Sequence, residues 1–128
     1  PNAKSLNYSL NSTHSMFTHI RTSKENKELV TQLTRQHNLG AENVIARIAI
    51  AHSLEQGQKL DLADLKDSGG KEYSKAVLLG DKEDIYIGMI CIFYGIHRSS
   101  HDLGKYVKLH LDDGLNSDLI KDNIPLIH

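Results

Sequence analysis

The sequence predicts a mainly α-helical, single-domain protein. Apolar residues recur at helical spacing in several long runs. Aromatic residues are few, with no Trp, and only two Pro interrupt the 128 residues. Sandwiches and barrels need the reverse: short alternating strands, aromatic-rich and closely punctuated by turns.

Residues 1–15 are polar and rich in Ser and Asn, and read as a flexible arm or an expression remnant outside the domain, which spans 16–128. Residues 16–21 suit a short extended segment. Phe17, His19 and Arg21 then point one way, and Met16, Thr18 and Ile20 the other. A helix start follows, because Thr22 stands three residues before Glu25 as a capping box requires. Leu29, Val30, Leu33 and His37 continue at helical spacing, and Asn38 and Gly40 end the run with residues that tolerate positive φ.

Residues 41–54 predict a second helix that is apolar almost all round, interrupted mainly by Arg47. Such a helix must be covered all round. Either the C-terminal half of the chain covers it or another copy does. The second option makes Val44, Ile45, Ile48, Ala49 and Ile50 an oligomer interface.

Residues 58–84 form a polar connector anchored by Leu60, Leu62 and Leu65, with a turn at Gly69-Gly70 and a short helix over 72–79 closed by Gly80. Residues 85–96 predict a third major helix, with Ile85, Met89, Ile90, Phe93 and Ile96 inward. Ser99 or Ser100 is placed to cap a fourth. There Leu103, Tyr106, Val107, His110 and Leu111 make an amphipathic stripe that Gly114 closes, leaving a tail over 115–128.

The net charge of -1 gives no global signal for nucleic acid, but the charge is uneven. Residues 1–59 hold seven Lys/Arg against four Asp/Glu, and residues 60–128 hold eight against twelve, so a basic face in the first half is compatible with the total. The single cysteine, Cys91, sits in an apolar run and reads as a small core residue. That run is too short to span a bilayer, which takes about 20 residues, and a cytoplasmic protein is expected.

No residue set matches a catalytic pattern. His97 and His101 are four apart, but Ser99-Ser100 interrupts the helix between them and no third ligand follows at a telling spacing. Gly69-Gly70-Lys71 lacks the spacing of a phosphate loop and reads as a turn. Glu83-Asp84 reads as a solvated pair at a helix start. The expectation is a non-enzyme with no cofactor and no metal.

The order of residues 16–56, an extended segment, a capped helix, a glycine turn and an apolar helix, is similar to a ribbon-helix-helix DNA-binding unit. Such units are dimers whose second helix aims its free N-terminal amides at a DNA phosphate. Here those amides belong to Gly40, Ala41, Glu42 and Asn43, with the Glu42 carboxylate competing for the same positive end. The groove-facing trios of residues 16–21 are poor base readers.

A second resemblance covers residues 17–128. Ile20-Arg21-Thr22-Ser23-Lys24-Glu25-Asn26, then Leu39-Gly40, then Asn43-Val44-Ile45-Ala46-Arg47-Ile48-Ala49 resemble the opening of the DndE family. Leu79-Gly80-Asp81, Ile85-Tyr86-Ile87 and Tyr94-Gly95-Ile96 follow in the same order. The resemblance implies a role in bacterial systems that replace a non-bridging phosphate oxygen of DNA with sulfur. A cysteine desulfurase, an iron–sulfur reductase-like protein and an ATPase carry the chemistry there. The small component is expected to form a homo-oligomer, a dimer or tetramer, and to bind duplex or nicked DNA through the backbone. On this chain the candidate contacts are Arg21, Lys24, Lys27, Arg35, Gly40, Asn43 and Arg47. Two other readings stay open: a sequence-specific ribbon-helix-helix repressor, and an adaptor that docks proteins without touching DNA.

Overall fold

The computed structural model describes residues 17–117 and 120. The proposed arm over 1–15 and most of the tail beyond 115 lie outside the described residues. Strand β1 (His19–Arg21) leads into helix α1 (Lys24–Gln36) and helix α2 (Glu42–Glu55). A connector with one 3-10 turn (Leu62–Asp64) reaches strand β2 (Glu72–Ser74) and the short helix α3 (Lys75–Leu79). A 3-10 turn (Gly80–Lys82), helix α4 (Glu83–Tyr94) and helix α5 (Leu103–Leu115) complete it. The fold is mainly helical, as expected, and one hydrophobic cluster draws on every helix.

The order strand, helix, helix holds, but the strand's partner is internal. β1 pairs antiparallel with β2 of the same chain, with His19 opposite Ser74, Ile20 opposite Tyr73 and Arg21 opposite Glu72. Burying Ile20 and Tyr73 on one face sets that register. In this chain β1 therefore has a strand partner of its own, where a ribbon-helix-helix unit pairs that strand with a second subunit.

α1 starts one residue later than the capping box predicts. Ser23, not Thr22, is the cap, and its hydroxyl accepts from the Asn26 amide at 3.2 Å. A distant group decides this: the Ser23 amide donates to Asp112 Oδ1 at 3.1 Å. Thr22 instead receives the Lys71 amide on its hydroxyl at 2.9 Å, and the Gly70 amide donates to its carbonyl at 3.0 Å. Gly70 packs against this corner so tightly that a Cβ there would collide with Ser23 O and Thr22 Oγ1. The turn read from Gly69-Gly70 is thus a packing joint, and Gly40 (φ 83°) makes the turn into α2.

α2 is covered by its own chain. α5 lies along it, and the predicted stripe of Leu103, Val107, His110 and Leu111 is buried against the core. Ile45, Ala49 and Ile50 are completely buried within one copy, and Val44 and Ile48 are partly covered. The need for a second copy to cover α2 disappears, because α5 fills the side that the sequence leaves unassigned. Gly114 does not close α5 but sits inside it, at the point of closest approach to the Ala49 backbone.

α4 departs from its predicted orientation. Ile87 and Ile90 face the core, whereas Ile85, Met89 and Ile92 are exposed. No helix of the described residues is long and apolar enough to cross a membrane.

Candidate nucleic-acid interface

Two polar networks hold the surface in shape, the first buried and the second running from the core out to the exposed Asp113. In the first, the Lys108 ammonium donates to Arg21 O (2.8 Å), Asp67 O (2.9 Å) and Asp112 Oδ2 (2.8 Å). Its three protons are all committed. Asp112 Oδ1 accepts from the Ser23 amide and, at 2.8 Å, from Asn26 Nδ2. One ion pair, with side chains 8% and 4% exposed, thus ties α5 to the β1–α1 corner and to the 67–69 turn.

The second network is a one-way hydrogen-bond chain. The Leu60 amide donates to Tyr94 Oη (2.9 Å), and the phenol donates its proton to His110 Nε2 (2.6 Å), a direction set at the far end of the chain, where Ser53 spends its one proton on Asp113. The imidazole then carries its proton on Nδ1 and donates it to Ser53 Oγ (2.8 Å), which donates to Asp113 Oδ2 (2.8 Å). Although it contains Ser, His and Asp, it is not arranged for nucleophilic attack. Ser53 and His110 are buried, the serine meets the carboxylate directly, and the second imidazole nitrogen is taken by Tyr94.

Burial pushes the His110 imidazole below its ordinary value, against the pull of the Asp113 charge. The unfolded chain takes up a proton at His110 below about pH 6.5 that the folded chain resists, so stability is full above that pH and falls as pH drops below it. Urea unfolding at pH 7.5 and 5.5 is expected to show this loss in the wild type, with a smaller loss in His110→Gln. Equal losses in both would refute it.

Basic groups gather around the clamped corner. Arg21, at the end of β1, pairs with Glu72 at 2.9 Å, and both remain exposed. Lys24 and Lys27 lie exposed on α1 with no ion pair among the described residues. The Lys24 amide and the Gly69 amide both donate to Asp67 Oδ2 (2.9 and 3.0 Å), which holds that carboxyl below its usual range. An open cleft of about 540 Å³ separates β1 from α5, with His19, Arg21, Ser68, Glu72, His101 and Lys105 around it and Lys108 in its wall. Phe17, Ile20 and Leu65 give it an apolar part. The cations at its rim have partners in the chain, Arg21 in Glu72 and Lys105 in Asp102 at 3.5 Å, so an anion there would share or exchange these contacts.

A family model described as DNA sulphur modification protein DndE matches residues 19–123. The chain belongs to the DndE family. The crystal structure of DndE from Escherichia coli B7A, a protein involved in DNA phosphorothioation modification, shares the fold. Its TM-score is 0.63 at 18% identity, over 78% of this chain and 95% of that one. No curated protein matches the chain in sequence.

In this DndE-family chain the sequence-predicted contacts divide among four places. Arg21, Lys24 and Lys27 fall together at the β1–α1 corner, and Arg35 is exposed at the far end of α1. Gly40 and Asn43 stand at the start of α2, where the chain supplies its own anion. Glu42 accepts from Thr31 Oγ1 at 2.9 Å and pairs with Lys71 at 3.1 Å. Burial opposes its ionisation, but these bonds and the Lys71 and Arg35 charges outweigh that and hold the carboxyl below its usual range. Arg47 is turned inward to cap α3, donating to Leu78 O (3.0 Å) and Val77 O (2.8 Å). It serves the fold, since the last carbonyls of a short helix lack partners within it.

His19, His101 and Lys105 are absent from the sequence-predicted set. They carry no local signal, and only the packing of α5 beside β1 brings them to the cleft. Among the described residues no group of three or more His, Cys, Asp or Glu is placed to hold a metal ion.

Proposed function

We propose that this DndE-family chain is a non-catalytic accessory subunit of the bacterial DNA phosphorothioation machinery. It binds duplex or nicked DNA through the phosphate backbone, with little sequence preference, and works as a homo-oligomer. Its partners are the iron–sulfur reductase-like protein, the ATPase and the cysteine desulfurase of that system.

Family membership supports the system. The observation that carries the DNA reading is the corner where exposed Lys24 and Lys27 adjoin Arg21 and the cleft edged by Lys105. Lysines and arginines at phosphates give binding that is insensitive to sequence and steeply salt-dependent. The internal pairing of β1 with β2 disfavours the repressor reading, because those residues already have a strand partner in their own chain. The adaptor reading keeps one supporting feature, the exposed apolar side chains of α4.

The test is fluorescence anisotropy with nicked and intact duplexes of unrelated sequence over a salt series. The Lys24→Glu/Lys27→Glu variant is expected to lose about 10- to 100-fold in affinity, and its log–log salt slope to fall by about 2 if each lysine meets one phosphate. Wild-type affinity in that variant would move the site elsewhere. No binding by the wild type at low salt would leave the adaptor reading.

A further inference from the structure

Glu72 is the one carboxylate among the described residues that line the cleft between β1 and α5. It comes from β2, where Tyr73 turns into the core and Glu72 to the open face, as the alternation of a strand requires. Its cross-strand partner is Arg21. Each carboxylate oxygen faces a different side chain of β1. Oε1 accepts from Arg21 Nε at 2.9 Å, and Oε2 lies 3.8 Å from His19 Nε2. The Thr18 hydroxyl is 3.0 Å from His19 Nδ1, which leaves Nε2 as the ring nitrogen turned to Glu72.

The neighbouring carboxylates have a different task. Asp67 accepts from the Lys24 and Gly69 amides and Asp112 from the Ser23 amide, so both hold backbone in place. The Glu72 carboxylate accepts from no backbone amide among the described residues, and its side chain is 43% exposed. An ion pair this open to water adds little to stability, because solvent screens it and two side chains must be ordered to make it. Glu72 can therefore leave Arg21 without disturbing the fold. A carboxylate and a phosphodiester also resemble each other as partners: each carries one negative charge and offers a guanidinium two oxygens.

We infer that Glu72 is an internal competitor for DNA. Its carboxylate occupies the place of one backbone phosphate, and Arg21 reaches that phosphate only when Glu72 gives way. The inference rests on the DNA-binding reading above and adds to it a residue that sets the strength of binding. A phosphate arriving at Arg21 replaces a contact that the guanidinium already has, so the exchange returns little net affinity. Lys24 and Lys27 have no ion pair among the described residues and carry no such cost. The displaced carboxylate stays near the DNA and repels it, which loosens the hold further.

The experiment compares the wild type and Glu72→Gln on one intact duplex at fixed salt, by fluorescence anisotropy. Thermal unfolding establishes that both are folded. Glutamine keeps an acceptor beside Arg21 and removes the charge. It is expected to tighten binding by about 3- to 10-fold, the scale of one charge at the edge of an interface. The Arg21 Nε–H signal in nitrogen–proton NMR, assigned by its loss in Arg21→Gln, reports the displacement itself. In the free wild type its partner is Glu72. At saturating DNA it should move, and reach the same position in the wild type and in Glu72→Gln, because a phosphate is then the partner in both. Wild-type affinity or weaker in Glu72→Gln would overturn the inference and leave the DNA reading standing. A tighter variant with the wild-type signal unmoved by DNA would also overturn it, since Glu72 would then act only as a repelling charge. No binding by either protein would remove the DNA reading, and this inference with it.

Discussion

Asp112→Ala is expected to cost about 3–5 kcal/mol, a large part of the roughly 5–15 kcal/mol that holds a domain of this size together. The carboxylate is buried and serves three donors, Lys108 Nζ, the Ser23 amide and Asn26 Nδ2. Alanine leaves a buried ammonium with two carbonyls and no counterion, and leaves the cap of α1 without its anchor. The penalty comes from the stranded charge more than from the lost attraction. A Lys108→Met/Asp112→Asn double variant removes both charges and keeps an acceptor for Ser23 and Asn26, so it should be much closer to the wild type. Urea unfolding of the three proteins measures the order. If the single alanine variant matches the double one, charge burial is not the cause.

Gly114→Ala should also destabilise by about 3 kcal/mol or more, against the usual preference of helices for alanine over glycine. The new Cβ would land on the Ala49 carbonyl and lie 2.9 Å from Ala49 Cα. Both obstacles are backbone atoms of α2, so the two helices must separate and the core between them must open. Gly88→Ala is the control within the same fold. It meets nothing in its own chain, and by propensity it should raise the stability of the monomer by up to about 1 kcal/mol. Thermal unfolding at low protein concentration compares the two. A neutral Gly114→Ala would show that α2 and α5 are not in close backbone contact.

The helices are legible in the sequence where one face differs from the other. In α5 the stripe of Leu103, Val107 and Leu111 alternates with polar residues and is buried as its spacing predicts, although the Lys108–Asp112 pair is buried as well. α4 has no such contrast: its ten uncharged residues from Ile85 to Tyr94 offer two apolar faces. The choice of Ile87 and Ile90 over Ile85 and Met89 for the core is made by packing against α3 and α5. The start of α1 differs by one residue from the expected position, because the group that selects Ser23 lies 89 positions away. The same distance effect hides part of the candidate interface. Arg21, Lys24 and Lys27 are visible as a local cluster, whereas Lys105 and His101 join it only through tertiary structure. Arg47 reads as a surface cation because its acceptors, the Val77 and Leu78 carbonyls, have no signature in sequence.

The bonds from Lys108 to Arg21 O and Asp67 O have a further consequence. They fix the backbone that carries Arg21 and the turn beside Lys24 relative to the helix that bears Lys105. The spacing of the backbone positions that carry these cations is settled when the chain folds, before any ligand arrives. The entropy of bringing them to a common spacing is lost during folding and not again at encounter, so more of each electrostatic contact remains as net affinity.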